Sequence, residues 1–174
     1  MPSDDSIRIR TAAEADALPL LAIYRPYVET SAVSFETVVP VVDEFSARIR
    51  KAIAGWQWLV AEKNRQCVGY AYGSMHRERA AYRWSVEVSA YVQPSHHRQG
   101  IGRLLYTRLC ADLARQGFCN AYAGITLPNE ASVALHRSVG FEHIGTFGAV
   151  GRKFGKWHDV AWFQRRLRDL PPFE

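Results

Sequence analysis

Cysteine is scarce in this chain of 174 residues: Cys67, Cys110 and Cys119 are the full set. Three is an odd number and no pair forms a C-x-x-C, so neither a disulfide framework nor a zinc ribbon is expected. All three stand among apolar neighbours and read as reduced packing residues. No apolar run reaches the ~18 residues that a membrane-crossing helix needs. The first ten residues turn from acidic to basic and lack the apolar segment of a signal peptide. A cytoplasmic protein without membrane contact is therefore expected. Lys and Arg are scattered rather than blocked, and no basic stripe is interleaved with aromatics, which argues against a nucleic-acid partner. His76, His96 and His97 lack metal-site spacing with carboxylates, so no metal is expected. The Gly-Lys-Ser/Thr of a Walker loop is missing too. A G-x-G-x-x-G dinucleotide fingerprint fails because Leu105 stands where its last glycine belongs.

What remains is the composition of one globular domain spanning 1–174. Apolar residues make up 48% and charged residues 22%, enough for a real core under an ordinary surface. The net charge of +5 suits an anionic ligand. Along the chain, Ile7 to Ile9 reads as a short strand. Thr11-Ala12-Ala13-Glu14 has capping-box form, and Asp16 is a second candidate cap. The helix behind them carries Leu18, Leu21, Ala22 and Val28, and Pro26 is expected to kink or end it. Val42 to Ala54 is an amphipathic helix, with Asp43 to cap it and Gly55 to stop it. Gln57 to Glu62 and Cys67 to Gly73 form a hairpin. A strand at Cys119 to Ile125, a helix at Glu130 to Ser138 and two last strands at Phe141 to Arg152 and His158 to Leu167 follow. The tail at Pro171-Pro172 is expected to be loose. Strands and helices mixed in this order give a single α/β domain.

The chain is organised around Arg83 to Cys110. From Arg83 to Val92 the residues alternate: Trp84, Val86, Val88, Ala90 and Val92 form an apolar face, and Arg83, Ser85, Glu87, Ser89 and Tyr91 face the other way. Pro94 ends the strand. His97-Arg98-Gln99-Gly100-Ile101-Gly102 then leads into a helix with Ile101, Leu104, Leu105, Leu109 and Leu113 on one stripe. Two glycines at a helix N-terminus allow backbone N–H groups to grip an anion, and Arg98 adds charge. This stretch reads as built for a phosphate-bearing ligand, with an ordinary tight strand-to-helix turn as the alternative.

These motifs together resemble the GNAT acetyltransferase superfamily. Its pyrophosphate loop is Q/R-x-x-G-x-G/A between strand and helix, and His97 stands here where that motif has Gln or Arg. Asn129-x-x-Ser132-x-x-x-His136-x-x-x-Gly140-Phe141 is similar to a second signature, with His136 where Tyr is commoner. Five further stretches resemble the phosphinothricin / L-amino-acid N-acetyltransferase branch. They are Tyr27 to Thr30 with Ser34 to Thr37, Arg77 to Glu87, Tyr106 to Leu109, Leu127 to Asn129, and Lys153 to Val160. The resemblance covers about Ile7 to Leu167.

The resemblance implies a mixed, mostly antiparallel sheet, splayed between its central strands and flanked by helices. It implies acetyl-CoA as acetyl donor, an amino acid acceptor such as phosphinothricin, methionine sulfoximine or methionine sulfone, and a homodimer. Tyr91 and Val92 would offer main-chain groups to the pantetheine arm, and residues His97 to Gly102 would hold the pyrophosphate. Asn129 and Ser132 would contact the cofactor; Asn129 also reads as a plain helix cap. Glu87 would be the general base, a role its place mid-strand on the polar face favours, since burial raises a carboxylate's proton affinity. His136 would meet the leaving thiolate as acid, or is a packing histidine. Arg77, Arg79 and Tyr82, with Phe35 and Glu36 as walls, would bind the acceptor; the arginines also read as a solvated basic loop. Acetylation of a protein N-terminus or lysine, and a silent acetyl-CoA sensor, are the competing functions.

Overall fold

The computed structural model describes residues 6–171; the first five residues and Pro172 of the expected loose tail lie outside them. The elements are β1 (Arg8–Thr11), α1 (Ala17–Glu29), α2 (Val42–Gly55), β2 (Trp58–Lys63), β3 (Gln66–Met75), β4 (Ser85–Val92), α3 (Ile101–Arg115), β5 (Asn120–Thr126), α4 (Glu130–Ser138), β6 (Glu142–Lys153) and β7 (Lys156–Arg166). Short 3₁₀ turns lie at Glu14–Asp16, Ala80–Tyr82 and Pro94–His96. The seven strands form one sheet in the order β1-β2-β3-β4-β5-β7-β6. Only β4 and β5 run parallel; the other neighbours are antiparallel. This is the mixed α/β sheet the sequence implies.

Both faces of the sheet are covered, which explains the continuous apolar run of β2. Leu59 and Ala61 join the core beneath α3, with Val86, Val88, Leu105, Leu109 and Leu113. Trp58 and Val60 point the opposite way, into a second core under α1 and α2 with Leu20, Phe45, Ile49 and Tyr70. Strand alternation feeds one layer on each side. The face of β4 that alternation marks as polar is therefore covered in part: Tyr91 packs into the second core, 4.9 Å from the ring of Tyr24 and 5.2 Å from that of Tyr27.

Several local expectations are corrected. β4 starts at Ser85 rather than Arg83, whose guanidinium folds over the Trp84 ring at 4.8 Å. Thr11 caps no helix; it pairs with Leu59 at the end of β1. Asp16 holds the cap position of α1 as expected, but its carboxylate makes no cap bond to that helix; it takes the Ala13 N–H at 2.8 Å and meets Arg10 at 2.7 and 2.8 Å. Val41, not Asp43, holds the cap position of α2. Pro26 does not end α1, which continues to Glu29. So near the helix end a proline removes one hydrogen bond. The last turn closes on its carbonyl, which accepts from Thr30 N–H at 2.9 Å and Thr30 Oγ1 at 2.7 Å. Buried Tyr24 and Val28 on either side of it keep the helix against the sheet.

Candidate active site

The sheet forks at Glu87. β4 pairs with β5 only through Ser85, Val86 and Glu87, while β5 goes on beside β7 to Thr126. Beyond Glu87, β4 keeps β3 alone. The Gln93 N–H donates to Val68 O at 2.9 Å. Antiparallel ladders alternate, so Tyr91 turns its backbone groups to β3 as Gln93 does. Ala90 and Val92 turn theirs to the side that β5 has left. The Val92 carbonyl there accepts from Tyr27 Oη at 2.5 Å and lies 3.0 Å from His97 Nε2. Its N–H is the group left facing the gap. Val92 thus turns its main chain to this edge and Tyr91 does not; Ala90 is its neighbour on the open side.

The turn into α3 sits just past this edge. Arg98 and Gly100 both have positive φ, +61° and +78°, and Gly100 precedes the first helical residue. This left-handed geometry needs glycine at 100. The amides of the first turn, from Ile101 on, have no acceptor within the helix and carry its positive end. Ile101 is buried in the core, so only its backbone can serve a ligand. Gly102 has a different reason. A Cβ there would come within 2.8 Å of Leu135 Cδ2, so glycine lets α3 approach α4. Arg98 is exposed beside the turn. Gln99 leans away, with Nε2 3.4 Å from Ser95 O and Oε1 taking Lys63 Nζ at 3.3 Å. The His97 ring also turns back, to the strand end and Tyr27 Oη at 2.9 Å. An unpaired strand edge leading to a cationic helix start fits a long ligand that is amide-like along its arm and anionic at its head.

Glu87 stands at the fork with its side chain 29% exposed. Its Oε1 lies 3.0 Å from His76 Nδ1 and 3.5 Å from Arg77 Nη1. Neither neighbour is close in sequence; β3 brings them across the sheet, where Ser74 is the partner of Glu87. His76 is stacked on Tyr122 at 4.4 Å and 13°, and meets Tyr82 edge-on at 5.8 Å.

A forked sheet with an anion-gripping turn at its open edge is the geometry of an acyl-CoA site. The model of the acetyltransferase (GNAT) domain matches residues 9–162. The chain belongs to the GNAT acetyltransferases. A phosphinothricin N-acetyltransferase of Streptomyces viridochromogenes is 39% identical over 170 residues, covering 98% of this chain and 92% of that one. An L-methionine sulfoximine/L-methionine sulfone acetyltransferase of Salmonella typhimurium is 35% identical over 160 residues, covering 91% and 94%. Among solved structures, YncA of Salmonella typhimurium, crystallised with its cofactor acetyl-CoA, superposes with a TM-score of 0.91 at 34% identity, covering 95% and 96%. This GNAT enzyme is an N-acetyltransferase that uses acetyl-CoA.

The remaining expected site residues of the enzyme divide. Asn129 caps α4, its Oδ1 accepting from Ser132 N–H at 3.1 Å, so the cap reading holds for that oxygen. His136 is 4% exposed between α3 and α4. Its Nδ1 lies 2.7 Å from Ser132 O and its Nε2 3.0 Å from Tyr106 Oη. Burial lowers its proton affinity, and both nitrogens are engaged. The geometry favours the packing histidine over the acid. Arg77 Nη1 leans on Glu87, and Arg79 is exposed before the 3₁₀ turn that holds Tyr82. Phe35 and Glu36 lie in the segment between α1 and α2. Phe35 rests on Gly151, where any Cβ would collide with its ring. Glu36 takes Arg48 Nη1 at 2.5 Å.

Four residues with contacts to these groups escaped the sequence reading: His76 on Glu87, Tyr27 on Val92, and Arg48 and Lys153 on the segment of Ser34 to Glu36. Lys153 is buried at the β6–β7 turn and donates to Val28 O and Ser34 O, each at 2.7 Å. Only Tyr27 and Lys153 fell inside stretches flagged by family likeness, and nothing there pointed to these contacts. Among the described residues no group of three or more His, Cys, Asp or Glu could hold a metal, and no helix is long and apolar enough to cross a membrane.

Proposed function

We propose that this enzyme acetylates the α-amino group of phosphinothricin or of the related methionine sulfoximine and methionine sulfone, by direct attack in a ternary complex with Glu87 as general base. The observation that carries the reading is the place of Glu87: the last residue paired across the fork, one step before the open edge of β4 begins. The names of the similar enzymes supply the acceptor class. Acetyl-CoA supplies the acetyl group as a thioester. The Ala90–Val92 edge would run along its arm, and the amides from Gly100 to Gly102 with Arg98 would hold its phosphates. Glu87 removes one proton from the acceptor's ammonium. The freed amine attacks the thioester carbon, the C–N bond forms as the C–S bond breaks, and the second proton passes from nitrogen to sulfur. The Val92 N–H donates to the developing oxyanion. Arg77, Arg79 and Tyr82 would bind the acceptor's carboxylate and its phosphinate, sulfone or sulfoximine oxygens, with Phe35 and Glu36 as walls.

Direct attack is favoured over an acetyl-cysteine route. Cys110 and Cys119 are buried in the core, and burial pushes the Cys110 thiol up to about 11. All three thiols are free, which suits the cytoplasm. A homodimer is part of the proposal: the β6 edge and its hairpin expose Ile144, Phe147, Val150, Phe154 and Trp157. Thiol release from acetyl-CoA, measured with phosphinothricin, both methionine derivatives, the twenty amino acids and a peptide N-terminus, tests the reading. Turnover confined to the first three supports it. Turnover on the peptide alone moves the function to a protein N-acetyltransferase.

A further inference from the structure

The clearest group that the reaction scheme leaves unused is His76. It lies just after β3, with its side chain 12% exposed beside a carboxylate that is 29% exposed. Three contacts hold the ring: the face of Tyr122 at 4.4 Å, the edge of Tyr82 at 5.8 Å and Trp162 at 6.5 Å. Tyr122 is also the parallel partner of Glu87, so one β5 residue braces the imidazole against the carboxylate. An ionised carboxylate only accepts hydrogen bonds. The hydrogen between them at 3.0 Å must therefore sit on Nδ1 of His76. Arg77 Nη1 reaches the same oxygen, Oε1. Both donors converge on Oε1, and Oε2 has no partner among the described residues.

We propose that His76 is a positioning residue for the acetyl transfer: its neutral imidazole fixes Glu87 through Oε1 and leaves Oε2 to take the proton from the acceptor's ammonium. The proposal rests on Glu87 being the base. It gives the imidazole a required protonation state. A charged ring would donate to Oε1 equally well, but its positive charge beside the carboxylate opposes the uptake of a further proton. The other groups facing the pair are the Arg77 guanidinium from the same loop, the Tyr82 phenol from the 3₁₀ turn and the Tyr122 phenol from β5. Trp162 on β7 carries no charge.

The experiment compares His76→Ala, His76→Phe and His76→Asn with wild type and Glu87→Gln, each checked for its melting temperature and acetyl-CoA affinity. Phe keeps the stack on Tyr122 without a donor; Asn keeps a donor near the place of Nδ1 without a titration. Ala and Phe are expected to lower kcat by about 10-fold or more, with the acetyl-CoA KM little changed. Asn is expected to recover most of that loss. The acid limb of log kcat/KM against pH should approach a slope of 2 in wild type, for two groups that must both be deprotonated, and 1 in His76→Asn. Recovery by Phe, or His76→Ala turning over like wild type while Glu87→Gln is inactive, would overturn the role of His76 alone. Full activity of Glu87→Gln would overturn the base assignment and this inference with it.

Discussion

Replacing Lys153 by Met probes the segment that would close over the acceptor. The ammonium is 5% exposed and donates to the carbonyl of Val28 at the end of α1 and to that of Ser34 in the following segment, both at 2.7 Å. Met fills a similar volume but leaves two buried oxygens without donors. Hydrogen bonds from a charged group contribute about 1.5–3 kcal/mol each. Removing the ammonium also removes its desolvation, which burial expresses as a lowered proton affinity for Lys153. The net expected loss is about 2–4 kcal/mol, which for a chain of this length lowers Tm by roughly 5–15 °C. Urea unfolding and calorimetry read the stability. Steady-state kinetics should add a rise in acceptor KM larger than that for acetyl-CoA, because Phe35 and Glu36 belong to the released segment. Gly151→Ala is a second route to the same segment, since its new methyl displaces the Phe35 ring. A Lys153→Met stability change under about 0.5 kcal/mol, with acceptor KM unmoved, would refute the reasoning.

Glu87→Gln should reduce kcat by about 10²–10⁴-fold with acetyl-CoA affinity nearly intact; a parallel collapse of binding, seen by calorimetry, would make Glu87 structural. Gly102→Val should cost about 1–3 kcal/mol by pressing on Leu135, with any loss of cofactor affinity following the stability loss; lost affinity in a fully stable variant would put the side chain of residue 102 at the ligand instead. Arg10 holds the Asp16 carboxylate below its usual range, first through their hydrogen bonds. A depressed carboxylate stabilises the fold above its unfolded value of 3.8 and loses that contribution as pH falls through the folded value. Asp16→Asn should therefore be about 1–3 kcal/mol less stable than wild type at pH 7, and the gap should shrink in acid; a gap independent of pH would exclude the ion pair as its source.

Much of the site was legible from local pattern. Alternation marked the central strand and put Glu87 opposite Val86 and Val88, because side-chain direction in a strand depends only on parity. The glycine-bearing turn marked the start of α3, because a positive φ at residue 100 is a local demand. The helix stripe and the Asn129 cap were legible for the same reason: each is settled within four residues. Together with the family likeness, these patterns were enough to single out the end of β4 and the turn after it.

Tertiary structure decided which groups meet. His76 and Glu87 are 11 residues apart, and only the β3–β4 register sets Nδ1 beside Oε1. Tyr27 reaches Val92 across 65 residues, and Lys153 reaches Val28 across 125. Strand alternation does not say on which edge a peptide group is free; the departure of β5 after Glu87 does, and it moved the open position from Tyr91 to Ala90. The packing of α4 on Gly102, whose Cβ would meet Leu135, is invisible in the sequence, and Pro26 looked like a helix stop until the core held α1 on both sides of it. Propensity and period are properties of a few consecutive residues, so the sequence alone determined most elements and the end of β4 where the glycine-bearing turn lies. Contacts between distant residues depend on how those elements stack, so only the folded chain determined which atoms surround Glu87.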